Sequence, residues 1–201
     1  MVNVAIFDYG AGNIFSLKNS LEKNGATVDV ITNFDEPNKY SGLLLPGVGN
    51  FDPAIVSIRN YSKTKFQDYV GNMPVFGICL GMEMFFEKSE EGKERGLNVI
   101  DGEVIVLPPT MKVPHMGWNN LEIKRPGKIL DGVDDGSWVY FVHSYRVKPN
   151  SDDIITAVSD YGIKVPAVVE QDNFIGTQFH PEKSSSVGKI MIKNFLDVCK
   201  K

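Results

Sequence analysis

Two cysteines and three histidines are few for a chain of 201 residues, and their scarcity excludes much. Cys79 and Cys199 cannot supply the disulfide framework that staples small secreted domains. No two Cys or His residues stand at ligand-pair spacing, so no metal site is expected. The chain also lacks a surplus of positive charge: 21 basic against 25 acidic residues give a net charge of −4. That argues against a dedicated nucleic-acid binder. It has no run of 18 apolar residues, so no membrane span is expected. The stretch Met1 to Phe7 has neither a basic n-region nor a signal-type cleavage site and reads as a first strand. The expectation is a cytoplasmic, reduced protein with no membrane or nucleic-acid partner.

What is present fits a folded domain. Hydrophobic residues make up 42% and charged residues 23% of the chain, as in ordinary globular proteins. A chain of this length buries roughly 70% of its unfolded surface and needs no staple. In the first half, short apolar runs alternate with helical patterns. Val2 to Phe7, Thr27 to Ile31, Leu43 to Leu45 and Val75 to Ile78 read as strands. Ile14, Leu17 and Leu21 share one helical face, and Gly25 ends that helix. Further helices are expected over 51–69 and 80–87. Continuous apolar strands alternating with helices predict a parallel sheet covered on both faces.

The second half changes character. Val99 to Leu107, Trp118 to Ile123, Trp138 to Val142, Ile154 to Val158, Val165 to Glu170 and Phe174 to Phe179 read as strands joined by Gly-, Pro- and Asp-rich turns. Ser184 to Ser186 offer N-caps for a last helix. Its inward face is expected to carry Val187, Ile190, Met191, Phe195 and Val198, and Cys199 ends it as a structural or incidental residue. With no linker or repeat, residues 1–201 are expected to form a single α/β domain with added antiparallel strands.

The chemistry centres on Gly77-Ile78-Cys79-Leu80-Gly81, a strand followed by a G-x-nucleophile-x-G turn and a helix start. Small neighbours let the backbone pass closely through a strained turn. A thiol at a helix N-terminus is expected to ionise more readily. A thiolate nucleophile needs a base and a group that orients it. His180 and Glu182 in Gln178-Phe179-His180-Pro181-Glu182 supply both, because a turn through Pro181 can bring the carboxylate to the imidazole. Alone, H-P-E reads as a surface pair. Together with the elbow 101 residues earlier it becomes specific. For an oxyanion hole, the Leu80 N–H is one candidate donor and the Val48 N–H, in the loop Pro46-Gly47-Val48-Gly49, another. His143 reads as a packed core histidine, and His115 as structural or interfacial.

The chain resembles the class I (triad) glutamine amidotransferases over essentially its whole length. Within them it is similar to the glutaminase subunits of imidazole glycerol phosphate synthases. The resemblance runs through Asp8-Tyr9-Gly10-Ala11-Gly12-Asn13-Ile14, Leu45-Pro46-Gly47-Val48-Gly49, Gly77-Ile78-Cys79-Leu80-Gly81-Met82 and Pro114-His115-Met116-Gly117-Trp118-Asn119. It continues through Tyr140-Phe141-Val142-His143-Ser144-Tyr145 and Gln178-Phe179-His180-Pro181-Glu182-Lys183. It implies a flavodoxin-like fold, with a mostly parallel central sheet flanked by helices plus additional antiparallel strands. It implies hydrolysis of glutamine to glutamate and ammonia through Cys79, His180 and Glu182, without a cofactor. Val48 and Leu80 would hold the oxyanion, and Gly49, Glu83, Glu91, Ser144 and Tyr145 the glutamine. Its partner would be a (βα)8-barrel cyclase, met by Asn13, Trp118, Tyr140 and Lys183. That partner would use the ammonia to form imidazole glycerol phosphate and an aminoimidazole carboxamide ribonucleotide, in histidine biosynthesis.

One residue departs from the family pattern: Glu83 stands where glutamine is usual. Its carboxylate would attract the α-ammonium of a bound glutamine and repel the α-carboxylate. The nearest alternative is a paralogue that feeds ammonia to amidation of a nucleotide sugar. A dinucleotide-binding reading of Gly10-Ala11-Gly12 fails, because Phe15 occupies the third glycine position of G-x-G-x-x-G. A flavin-binding reading would leave Cys79, His180 and Glu182 unexplained.

Overall fold

The computed structural model describes residues 2–10, 14–61 and 66–200. In chain order its elements are β1 (Val2–Phe7), α1 (Ile14–Lys23), β2 (Ala26–Ile31), β3 (Gly42–Leu45), α2 (Phe51–Tyr61), α3 (Phe66–Val70), β4 (Val75–Ile78) and α4 (Leu80–Glu83). Then follow β5 (Lys88–Ser89), β6 (Gly102–Val106), β7 (His115–Asn120), β8 (Glu122–Ile123), β9 (Trp138–His143) and β10 (Tyr145–Pro149). The chain closes with β11 (Ile155–Asp160), β12 (Lys164–Gln171), β13 (Phe174–Thr177) and α5 (Ser185–Val198).

The main sheet has eight strands in the order β2-β1-β3-β4-β13-β12-β11-β8. From β2 to β13 every pairing is parallel. From β13 outward every pairing is antiparallel. The apolar runs explain the parallel half. Every residue of β3 and β4 is buried, because successive side chains feed two cores on opposite faces. Leu44, Phe76 and Ile78 enter one core together with Leu17, Leu21, Met191 and Phe195 of α1 and α5. Leu43, Leu45 and Val75 enter the other, with Phe51, Ile55 and Ile58 of α2.

Two smaller sheets lie beside this layer. One is three-stranded, in the order β10-β6-β5. The other is a ribbon of β7 and β9, antiparallel, with Trp118 opposite Tyr140 and His115 opposite His143.

Several expectations are adjusted. Gly25 ends α1 with φ +86°, and its N–H donates to the Glu22 carbonyl at 2.9 Å. The helix expected over 80–87 stops at Glu83. The strand Tyr145–Pro149 was not anticipated. Ser184 precedes α5, but its hydroxyl does not cap that helix. The buried face of α5 carries Met191, Ile192, Phe195 and Leu196, while Ile190 is exposed. Cys199 is buried; it lies where a Cβ on Gly42 would stand 2.4 Å from its Sγ.

Candidate active site

The parallel strands end on one side, where crevices of open α/β sheets hold ligands. There β3 runs into Pro46-Gly47-Val48-Gly49, β4 into Cys79, and β13 toward Gln178 and His180. Cys79 adopts φ 51° and ψ −106°, a conformation that costs a non-glycine residue energy. Its neighbours show why they are glycines. A Cβ on Gly77 would lie 2.6 Å from the Gly81 backbone, and one on Gly81 would lie 2.0 Å from the Leu45 carbonyl oxygen. On Gly47 it would stand 2.0 Å from the Ile78 oxygen and 2.8 Å from the Cys79 Cβ. The loop after β3 therefore packs directly on the elbow, which places Val48 beside the nucleophile.

Cys79 opens into a pocket of about 260 Å³. Val48, Gly49, Leu80, Glu83, Glu91, Ser144 and Tyr145 all line it, along with His143. Every residue expected to hold the oxyanion or the glutamine is thus brought to one cavity. The Cys79 sulfur lies 3.7 Å from the Val142 carbonyl oxygen and 3.9 Å from Gln178 Nε2. Burial pushes its thiol well up, and the nearby Glu83 adds to the effect, against the Leu80 amide and the Gln178 carboxamide, which favour ionisation. The expected thiolate-favouring helix end is therefore outweighed: α4 is a single turn, and the thiol is buried beside the acidic Glu83.

His180 is buried. Its Nδ1 stands 2.8 Å from Glu182 Oε1, brought there by a 3₁₀ turn over Pro181–Lys183. A carboxylate only accepts, so Nδ1 carries the proton and Nε2 is left as a base. Nε2 is buried with no hydrogen-bond partner among the described residues. His180 lines a small cavity that shares Gly47 and Val48 with the Cys79 pocket. The His180–Glu182 pair is formed, and among the described residues no hydrogen bond joins His180 Nε2 to the Cys79 sulfur.

His143 and His115 form a buried chain behind the pocket. His143 Nδ1 donates to the Tyr145 carbonyl at 2.7 Å. Its Nε2 then accepts from His115 Nδ1 at 3.0 Å, and His115 Nε2 faces Asn119 Nδ2 at 3.5 Å. Burial lowers His143 to about 3 and His115 to about 4. Both are buried; for His143 this agrees with the packed core histidine expected, and for His115 with the structural one of its two readings.

Of the expected interface residues, Trp118 is 50% exposed and packs edge-on against half-buried Tyr140 at 5.9 Å. Lys183 is exposed beside Glu182. Asn13 lies outside the described residues. Met116 and Trp138 add apolar surface to the same ribbon, at 63% and 58% exposure. Three participants were not assigned from sequence. Gln178 follows the end of β13 and donates to Glu83 Oε1 at 2.9 Å. Ser184 accepts from the Tyr140 N–H at 3.0 Å and donates to the His180 carbonyl at 2.7 Å. Tyr9 buries a hydroxyl near Cys79 and Glu83 that has no hydrogen-bond partner among the described residues. Among the described residues no group of three or more His, Cys, Asp or Glu is placed to hold a metal ion.

This geometry agrees with what the chain is similar to. Residues 5–199 match the family model described as glutamine amidotransferase class-I. The chain belongs to the class-I glutamine amidotransferase family. Relatives within it include the imidazole glycerol phosphate synthase subunit HisH of Archaeoglobus fulgidus, 44% identical, with 98% of this chain and 100% of that protein covered. The protein of the same name from Caldanaerobacter subterraneus subsp. tengcongensis is 42% identical over 98% of each chain. Solved folds agree: a glutamine amidotransferase superposes with a TM-score of 0.76 at 18% identity, over 98% of this chain and 99% of that one. PurLQS from Thermotoga maritima gives 0.75 at 16% identity, with the same coverage. As a class-I amidotransferase the chain has the α/β sheet expected of it. Among the described residues no helix is long and apolar enough to cross a membrane.

Proposed function

We infer that this chain is the HisH-type subunit of an imidazole glycerol phosphate synthase, hydrolysing glutamine to glutamate and ammonia in histidine biosynthesis. The observation that carries this reading is the strained Cys79 elbow, opening into a pocket shared with Val48 and Leu80, together with a His180–Glu182 pair whose Nε2 has no hydrogen-bond partner among the described residues. The relatives' shared name favours this over the nucleotide-sugar paralogue.

Cys79 Sγ attacks the carboxamide carbon of glutamine. Because burial keeps the thiol protonated, His180 Nε2 takes its proton during the attack, as a general base. Glu182 stabilises the resulting imidazolium, and the Val48 and Leu80 N–H groups receive the oxyanion. The C–N bond then breaks, and the imidazolium gives its proton to the leaving ammonia. A thioester remains on Cys79. His180 next deprotonates a water that attacks it, releasing glutamate and restoring the thiol. Gly49, Glu83, Glu91, Ser144 and Tyr145 hold the substrate's remaining groups.

The ammonia passes to a (βα)8-barrel cyclase subunit that makes imidazole glycerol phosphate and an aminoimidazole carboxamide ribonucleotide. Exposed aromatic and Met side chains suit a protein interface, and the ribbon face of Trp118 and Tyr140, together with Lys183, is where the cyclase docks; the resemblance adds Asn13 to that contact. Residues 1–201 work as one amidotransferase domain in the cytoplasm, without a cofactor.

The test is glutamate release from glutamine, with and without the cognate cyclase and its nucleotide ligand. Strong stimulation by the loaded cyclase is expected. Cys79→Ala should abolish glutamine-dependent turnover while ammonia-dependent synthesis by the complex persists. Equal glutaminase rates in Cys79→Ala and wild type would sink the mechanism. A formed complex without stimulation would favour the paralogue.

A further inference from the structure

Glu83 carries a carboxyl group into the wall of the Cys79 pocket and buries it to 4% exposure. A buried carboxylate persists when cations or several N–H groups surround it. Here a single carboxamide serves: Gln178 Nε2 donates to Glu83 Oε1 at 2.9 Å. Among the described residues no Lys or Arg acts on Glu83.

The groups that face it come from every side. Cys79 precedes it on its own turn, and Tyr9, with Asp8 beside it, lies at the end of β1. Glu91, a second carboxyl, lines the same pocket from the loop after β5. Gln178 follows β13, with His180 and Glu182 beyond it, and neutral His143 lies across the pocket on β9. This environment offers acids and neutral groups. Gln178 spans the two ends, at 2.9 Å from the carboxyl and 3.9 Å from the sulfur.

We propose that Glu83 is a positioning residue that gates the nucleophile, because the wall holding Glu83 and Cys79 has room for one negative charge. Neutral, Glu83 holds Gln178 beside the sulfur and leaves Cys79 free to give up its proton. Ionised, it keeps the thiol protonated. Burial, which pushes the Glu83 carboxyl up to about 8, puts the switch between these states in reach of neutral pH. The inference rests on Cys79 being the nucleophile, but its readout does not need turnover.

The experiment is alkylation of Cys79 by iodoacetamide between pH 5 and 10, in wild type, Glu83→Gln and Glu91→Gln. Peptide mass spectrometry counts Cys79 and Cys199 separately, and the uncharged reagent is not repelled by the pocket. In Glu83→Gln the carboxamide keeps an acceptor for Gln178. Its Cys79 midpoint should fall by about one pH unit or more, giving roughly tenfold faster alkylation at a fixed pH above the Glu83 titration and below both Cys79 midpoints. Glu91→Gln should move it by less than half as much. Equal midpoints in wild type and Glu83→Gln overturn the proposal, as does an equal shift in Glu91→Gln. A second measurement needs no variant: ¹³C NMR of labelled glutamate carboxyls in the wild-type chain. One carboxyl titrating above pH 7 supports the proposal, and all titrating below pH 6 overturns it. Retained glutaminase activity in Cys79→Ala would remove the functional reading while leaving these titrations interpretable.

Discussion

Cys79 stands in a backbone conformation that glycine tolerates and other residues resist. The surrounding contacts hold it there: the Gly47 loop packs on its Cβ side, and its N–H donates to the Thr177 carbonyl at 2.6 Å. The strain aims the sulfur into the pocket instead of into the core. Glycine normally destabilises relative to alanine through its larger unfolded-state entropy. At residue 79 that order should reverse. Cys79→Gly is expected to be more stable than Cys79→Ala by about 1 kcal/mol, from relief of the positive φ, with neither variant hydrolysing glutamine. Urea unfolding of the pair decides it. If the alanine variant is the more stable, the elbow stores no strain.

The segment that follows β13 shows how a short element positions a side chain. Pro181 opens a 3₁₀ turn that swings Glu182 back onto His180. Ser184 then ties that turn to β9 by two hydrogen bonds. Ser184→Ala leaves the His180 carbonyl and the Tyr140 N–H without this partner. A loss of about 1–3 kcal/mol is expected from the stranded polar groups, and kcat should fall with KM for glutamine little changed, because the imidazole loses its register. Urea unfolding and steady-state kinetics of the complex would test both; unaltered kcat would mean that the Pro181 turn alone fixes His180. The same element shows what sequence can and cannot tell. Cys79, His180 and Glu182 are legible because each sits in a contiguous motif with its own local geometry. The role of Ser184 is not: it reads as an N-cap, and only the approach of β9 gives its hydroxyl a different task. Likewise Leu43–Leu45 and Val75–Ile78 announce buried parallel strands by unbroken apolar runs. The helix after Cys79 ends early for a reason remote in sequence. The Met84 and Phe85 carbonyls accept from Leu97, Val99 and Ile100 instead of continuing the helical ladder. The strand Tyr145–Pro149 lacks a clean alternation and ends in proline, which an edge strand accommodates.

Across the whole molecule, His143 and Glu83 are buried around one pocket, with His115 buried against His143, and their linkage gives stability a shape against pH. The imidazoles fall from an ordinary 6.5 to about 4 and about 3. Below pH 6.5 the unfolded chain therefore takes up protons that the folded chain refuses, and stability is lost as pH falls. Glu83 acts in the opposite sense, rising from 4.5 to about 8. Above 4.5 the unfolded chain ionises it and the folded chain does not, so its contribution is lost as pH rises toward 8. Surface carboxylates such as Glu122 and Asp197, held down to about 2 by lysines, act below this window, and the Cys79 thiol acts above it. Between pH 8 and 6.5 only Glu83 operates among these groups, and stability should climb with acidification by up to about 1.4 kcal/mol per pH unit. Between 6.5 and 4.5, two imidazoles oppose one carboxyl, and stability should decline with a net uptake of up to about one proton. Glu83→Gln should flatten the alkaline limb and steepen the acid limb, since nothing then offsets the histidines. Urea unfolding of both chains from pH 5 to 8.5 reads the two limbs separately. A wild-type profile that stays level from pH 8 to 6.5 would mean that Glu83 is ionised in the folded pocket. A Glu83→Gln profile level below pH 6.5 would mean that the buried histidines accept protons without loss of packing.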